Sequence, residues 1–126
     1  KTHAEATIIY NTSALAFVPL ALTAVYSSTK AALHSFVLSQ RYRLKGTSVR
    51  VLEIAPPWVQ TDLLNSNEEP RAMPLKAFID ETIAVLGTDA EEILVEQAKP
   101  FRNNPGPNES DLVTQFNDVM VAPKPQ

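Results

Sequence analysis

The segment Tyr26-Ser27-Ser28-Thr29-Lys30 places a phenol and an ammonium group four residues apart. On a helix they share one face. A free phenol ionises near pH 10, so it needs help to exchange a proton near neutrality. A lysine cation roughly 5 Å away, at an effective dielectric near 20, favours the phenolate by about 3 kcal/mol. That help brings a tyrosine within reach of general acid/base work. Ser13 adds a second hydroxyl thirteen residues upstream. If Ser13 follows a strand and Tyr26 opens the next helix, both lie at the carboxyl end of a parallel sheet, where open α/β folds bind ligands. Two hydroxyls could then meet over one substrate oxygen.

The elements needed to hold those groups can be read along the chain. Residues 6–12 (ATIIYNT) are apolar on both faces, as expected of a strand covered by helices in a parallel sheet. A loop runs through Pro19. Residues 25–45 show helical spacing of Leu33, Phe36, Val37 and Leu44, expected core residues, and Gly46 is placed to end the helix. Residues 49–54 (VRVLEI) form a second short strand, which completes a right-handed βαβ unit. Pro56-Pro57 stops it, and residues 58–64 make a turn. Residues 65–73 read as loop. Two helices are expected at 74–86, with Pro74 in first position, and at 89–98, with Asp89 as N-cap. Residues 99–108 (KPFRNNPGPN) have no period, 110–121 read as an amphipathic helix, and the tail from Ala122 is expected to fray.

Asn11-Thr12-Ser13, Tyr26-x-x-x-Lys30-Ala31-Ala32, and Val49-Arg50-Val51-x-x-Ile54-x-Pro56-Pro57-x-Val59-x-Thr61 fall in an order that resembles the second half of a short-chain dehydrogenase/reductase. The resemblance covers about residues 6–64. The rest, including residues 103–108 (NNPGPN), is similar to a bacterial-type subgroup whose label refers to D-alanine esterification of teichoic acid. That label is no guide to substrate. The resemblance implies an α/β fold: the C-terminal half of a Rossmann-like, doubly wound parallel sheet with a helical substrate-side region. It implies that Tyr26 is the acid/base on a carbonyl/alcohol oxygen, and that Lys30 favours its phenolate and binds the nicotinamide ribose. Ser13 would polarise the substrate oxygen. The stretch from Pro56 to Thr61 would pass beside the nicotinamide of NAD or NADP, with Val59 backbone groups on the carboxamide and Thr61 nearby. The hydride would come from the cofactor.

The chain departs from the family at Pro57, where most members carry glycine, so a backbone donor is missing there. The glycine-rich turn that receives a pyrophosphate belongs to the first half of such folds. With Gly46, Gly87 and Gly106 as its three glycines, this chain holds no G-x-G-x-x-G. The 126 residues start at Lys1, directly before a strand, and read as one partial domain, with 6–64 catalytic and 65–126 mostly helical. Activity is therefore expected of the parent protein and not of this piece alone. The rival reading is a non-enzymatic interaction module with relic catalytic residues, since the strand at 6–12 would leave an apolar edge open.

Composition narrows the classes further. Hydrophobic residues make up 44% and charged residues 20%, which is ordinary for a globular chain. A net charge of -3 with scattered lysines and arginines speaks against nucleic acid. No 18-residue apolar run suggests a membrane span. The absence of cysteine excludes thiolate chemistry and fits a reducing compartment, so a cytoplasmic site is expected, and no metal site is expected. Ser13 as a hydrolase nucleophile lacks a G-x-S-x-G elbow. Its only candidate bases are His3 and His34, and His34 reads as a helix-face residue. Met73, Leu75, Phe78 and Ile79 could line a substrate site or close the core. Trp58 could line the mouth of the site or be buried. Ala31, Ala32 and Ser35 are small enough to let another helix approach, so a homo-oligomer contact is expected along the helix at 26–45.

Overall fold

The computed structural model describes residues 5–122, apart from the side chain of residue 64. His3 and the tail beyond Ala122 lie outside the described residues. The architecture is an open, three-stranded parallel sheet in the order β1-β2-β3, comprising β1 (Ala6–Asn11), β2 (Val49–Ile54) and β3 (Glu92–Ile93). The 20-residue helix α1 (Ala24–Arg43) joins β1 to β2. Their register runs from Ala6 opposite Val49 to Asn11 opposite Ile54. Gly46 takes φ +81°, the left-handed conformation in which glycine has no Cβ penalty, and turns the chain out of α1.

Helices α2 (Leu75–Leu86), α3 (Lys99–Arg102) and α4 (Glu109–Val121) make up the C-terminal region. Pro74 precedes α2 as its N-cap rather than occupying its first turn. A 3-10 helix fills Leu63–Glu68, inside the stretch expected to be loop. The helix expected at 89–98 is not formed. There the chain makes β3 and a short 3-10 turn, Glu96–Ala98. Asp, Ala and Glu favour a helix here, but parallel pairing of Ile93 with Ile54 overrides that preference and buries Ile93 to 2% exposure.

The core is centred on β2, whose consecutive residues Val51, Leu52 and Glu53 are buried on both faces of the sheet. Val37, Val51, Leu52 and Ile93 are buried, and Ala14, Met73, Val95 and Ala98 form a cluster packed by Phe78, Leu94 and Phe101. Strand β1 is exposed along most of its length, the open apolar strand expected of this piece alone, whereas the expectation for the helix residues fails in part. Phe36 is 49% exposed, with Leu33 and Leu44 half-buried; only Val37 of that set is fully buried. The cause is shared: β1 pairs with β2 alone, so among the described residues nothing covers its far side. Phe36 meets only the edge of the Tyr10 ring there, with centroids 5.9 Å apart.

Candidate active site

Strand β1 ends in three residues with separate duties. The Asn11 carbonyl accepts a hydrogen bond from Lys30 Nζ at 3.2 Å. The Thr12 hydroxyl donates to Glu53 Oε2 at 2.6 Å. Ser13 caps a 3-10 turn, Ala14–Ala16, and its Oγ accepts from the Leu15 N–H at 3.0 Å. That bond uses a lone pair and leaves the Ser13 proton to donate elsewhere. The backbone around Ser13 is pinned to the end of β2: Thr12 N–H donates to the Ile54 carbonyl at 2.8 Å and Ala14 N–H to that of Pro56 at 2.9 Å. The bulk of Ser13 is buried, yet it faces a cleft.

Tyr26 and Lys30 come from the first turns of α1. Ser27, between them, is 1% exposed and anchors the helix start, its Oγ accepting from Leu20 N–H at 3.2 Å. Lys30 Nζ lies 5.5 Å from the centre of the Tyr26 ring. Among the described residues no group hydrogen-bonds the Tyr26 hydroxyl, and the residue is 42% exposed. Ser13, Tyr26 and Lys30 line one cleft of about 1020 Å³, together with Pro56, Val59 and Thr61. Every residue singled out for catalysis or cofactor contact therefore lies on the same cavity.

The turn after β2 is tied to the segment before α2. Val59 bridges to Met73 in parallel fashion, through Met73 N–H to Trp58 carbonyl (2.7 Å) and Gln60 N–H to Met73 carbonyl (2.8 Å). Both bonds use the neighbours of Val59, so its own N–H and C=O stay outside the pair. The Thr61 Oγ accepts from Leu63 N–H at 3.3 Å, which again leaves its proton to donate. Trp58 also lines the cleft. Its ring N–H donates to Ser66 Oγ at 2.8 Å, and the Arg71 guanidinium lies 5.2 Å from the ring. Arg71 is held in turn by Glu69, Nη2 to Oε1 at 2.7 Å.

Behind the cleft lies a polar network that sequence reading missed. Glu53, 1% exposed, receives Thr12 and also meets His34 Nδ1 at 2.8 and 2.9 Å from its two oxygens. His34 thus lies on the helix face turned toward the sheet, and its ring also meets Phe17 in a T-shaped contact, with centroids 4.9 Å apart. Glu92 brings its carboxylate close to the pair, where Arg102 answers it, Nε to Oε1 at 2.7 Å. The Glu92 hydrogen bond, aided by the charges of Glu92 and Glu53 and opposed by burial, holds the Arg102 proton more firmly than usual. The visible signal was an acid inside the buried run VRVLEI, which requires a partner.

The apolar side of the cleft comes from the C-terminal region. Of the four residues that could line the site or close the core, Leu75 and Phe78 line the cleft, Phe78 also packs on the core that holds Met73, and Ile79 is 47% exposed and does not line the cleft. Phe116, Val119 and Met120 of α4 complete it. Helix α4 is clamped by Asn117, which accepts from Ala21 N–H at 2.7 Å and donates to the Pro19 carbonyl at 2.9 Å. The Phe116 and Phe101 rings meet edge to face at 5.0 Å.

An open parallel sheet with a serine, tyrosine and lysine gathered at the carboxyl end of its strands defines a Rossmann-like α/β protein. The chain belongs to the short-chain dehydrogenase family: the family model described as short chain dehydrogenase matches residues 1–72. It is 37% identical over 118 residues to the "Uncharacterized oxidoreductase DltE" of Bacillus subtilis (strain 168), a match covering 90% of this chain and 47% of that protein. A crystal structure of a short chain dehydrogenase from Burkholderia cenocepacia J2315 in complex with NADP superimposes with a TM-score of 0.73 at 25% identity. That match covers 86% of this chain and 47% of the other. The chain thus spans about half the length of these relatives.

Proposed function

We propose that the protein carrying this chain is an NAD(P)-dependent oxidoreductase that interconverts a carbonyl and an alcohol. The observation behind it is that Ser13, Tyr26 and Lys30 share one cleft, with the Tyr26 hydroxyl unpaired among the described residues and the Ser13 proton free to donate. A reduced nicotinamide, when bound, supplies the hydride that adds to the carbonyl carbon. Ser13 donates a hydrogen bond to the carbonyl oxygen and orients it. Tyr26 delivers its proton to that oxygen as negative charge develops, and takes it back in the reverse direction. Lys30, fixed by the Asn11 carbonyl, places its charge beside the Tyr26 ring, where negative charge develops as the proton leaves. Val59 and Thr61 would hold the carboxamide side.

Binding of the pyrophosphate falls to a glycine-rich loop that these 126 residues do not contain. Turnover is therefore assigned to the full-length protein, with this chain inactive alone. In that protein Tyr26→Phe should lower kcat by about 10³-fold or more, with cofactor binding retained, because the acid/base is lost while the packing stays. An unchanged rate would sink the catalytic reading. It would favour the second one, a docking module, for which the open β1 edge with Ile9 at 47% exposure speaks.

The proposal extends to a homo-oligomer through α1. Ser28, Ala31, Ala32, Ser35 and Ser39 lie at helical spacing on one exposed, small-residue face, bordered by exposed Leu38 and Tyr42. Such a face lets a second helix approach closely. Sedimentation showing monomer alone across a wide concentration range would count against it. Among the described residues no helix is long and apolar enough to cross a membrane. A cytoplasmic location remains part of the proposal, resting on the cysteine-free composition.

A further inference from the structure

The cleft carries information about the substrate beyond its reacting carbonyl. Leu75 and Phe78 of α2, with Phe116, Val119 and Met120 of α4, line it. These helices hold none of the catalytic or nicotinamide-side residues, so their apolar groups have no part in the proton transfer. They are also poorly covered: Leu75 is 44% and Val119 62% exposed. Water against such groups is displaced favourably by an apolar ligand.

Charge in the cleft points the same way. Among the described residues its charged lining groups are Lys30 and Arg71. Lys30 is bonded to the Asn11 carbonyl beside Tyr26, and Arg71 is paired with Glu69 and laid against Trp58. The Lys30 charge sits beside Tyr26 at the reacting end of the cleft, and the Arg71 charge is answered by Glu69. Among the described residues no acid lines the cleft to receive an ammonium group. A charged substituent placed against α2 and α4 would lose its hydration without a partner. At about 1020 Å³ the cavity lies at the top of the roughly 300–1,000 Å³ range of small-molecule pockets, which leaves space for an extended apolar body beside a nicotinamide.

We propose that the substrate is a carbonyl or alcohol on an uncharged, apolar body that lies between α2 and α4, with Phe116 and Met120 selecting it. This rests on the oxidoreductase reading above. The reaction balances as carbonyl plus reduced nicotinamide plus a proton, giving alcohol and oxidised nicotinamide.

The test uses the full-length protein with NADH or NADPH and a 2-alkanone series from butanone to decanone. A second series carries a carboxylate at the far end. For the neutral ketones kcat/KM should rise about four-fold per added methylene until the cleft is filled. The carboxylate-ended ketones should be poorer than their neutral counterparts by roughly tenfold or more. Met120→Lys should reverse that preference, whereas Asp118→Lys, on the exposed face of α4, should leave it unchanged. Turnover with no dependence on chain length, or a wild-type preference for the carboxylate, overturns this inference and spares the oxidoreductase reading. No turnover of any ketone, and no oxidation of the matching alcohols with either cofactor, overturns both.

Discussion

The wall of the cleft that carries Ser13, Tyr26 and Lys30 is held by directional bonds, whereas the wall from α2 and α4 is held by apolar contact and the Asn117 clamp. On the first wall the groups around the reactive hydroxyls are committed, while the Tyr26 hydroxyl and the Ser13 proton are left for the substrate. Ser13 accepts from Leu15, its neighbours are tied to Ile54 and Pro56, and Thr12 reaches the Glu53–His34 pair. On the second, Leu75, Phe116, Val119 and Met120 present hydrocarbon to an open space. Proton transfer fails when the groups are misplaced by about 1 Å, so its supports must be geometric. Holding an apolar body requires only surface that prefers not to face water.

Three substitutions probe that contrast, in falling order of effect. Ser13→Ala removes a hydroxyl that the reaction uses and should lower kcat by about 10²-fold or more, read by steady-state kinetics on the full-length protein. A rate within a few-fold of wild type would show that the first wall does not act through Ser13. His34→Ala touches no substrate but deprives buried Glu53 of a partner and opens space beside Phe17. It should destabilise the fold by about 2–4 kcal/mol in urea unfolding, and a negligible change would show that the network is ornamental to the strand ends. Asn117→Ala strikes the second wall. Losing its bonds to Pro19 and Ala21 should cost about 1 kcal/mol and raise KM a few-fold with kcat nearly unchanged. A fall in kcat instead would mean that the two walls are not separable.

The legibility of the sequence divides along the same line. Ser13, Tyr26 and Lys30 were readable because strand ends and helix periods are local, and local spacing sets which side chains share a face. Strands β1 and β2 and the helical C-terminal region follow the same logic, and β3 does not. The run Ile93-Leu94-Val95 was the signal for it, but the preceding Asp89-Ala90-Glu91-Glu92 reads as helix until β2 is there to pair with. Glu53 and His34, nineteen residues apart, meet only after α1 folds back on the sheet. Phe36 is apolar and correctly spaced, yet its burial depends on what lies beyond β1. The role of Asn117 depends on contacts across most of the chain, and no local pattern announces it.

The Asn117 clamp also bears on the order of assembly. It joins groups 96 and 98 residues apart, whereas Thr12 and Glu53 are separated by 41. Loop-closure entropy rises by about 0.6 kcal/mol per doubling, so seating α4 directly costs more than joining the two strands. Once β1, α1 and β2 have formed, the remaining loop is shorter and that extra cost shrinks. This favours a sequence in which the proton-transfer wall forms first and the apolar wall swings onto it afterwards. By the same logic, α4 would be the first element to let go when the protein unfolds, emptying the cleft while the strand ends are still joined.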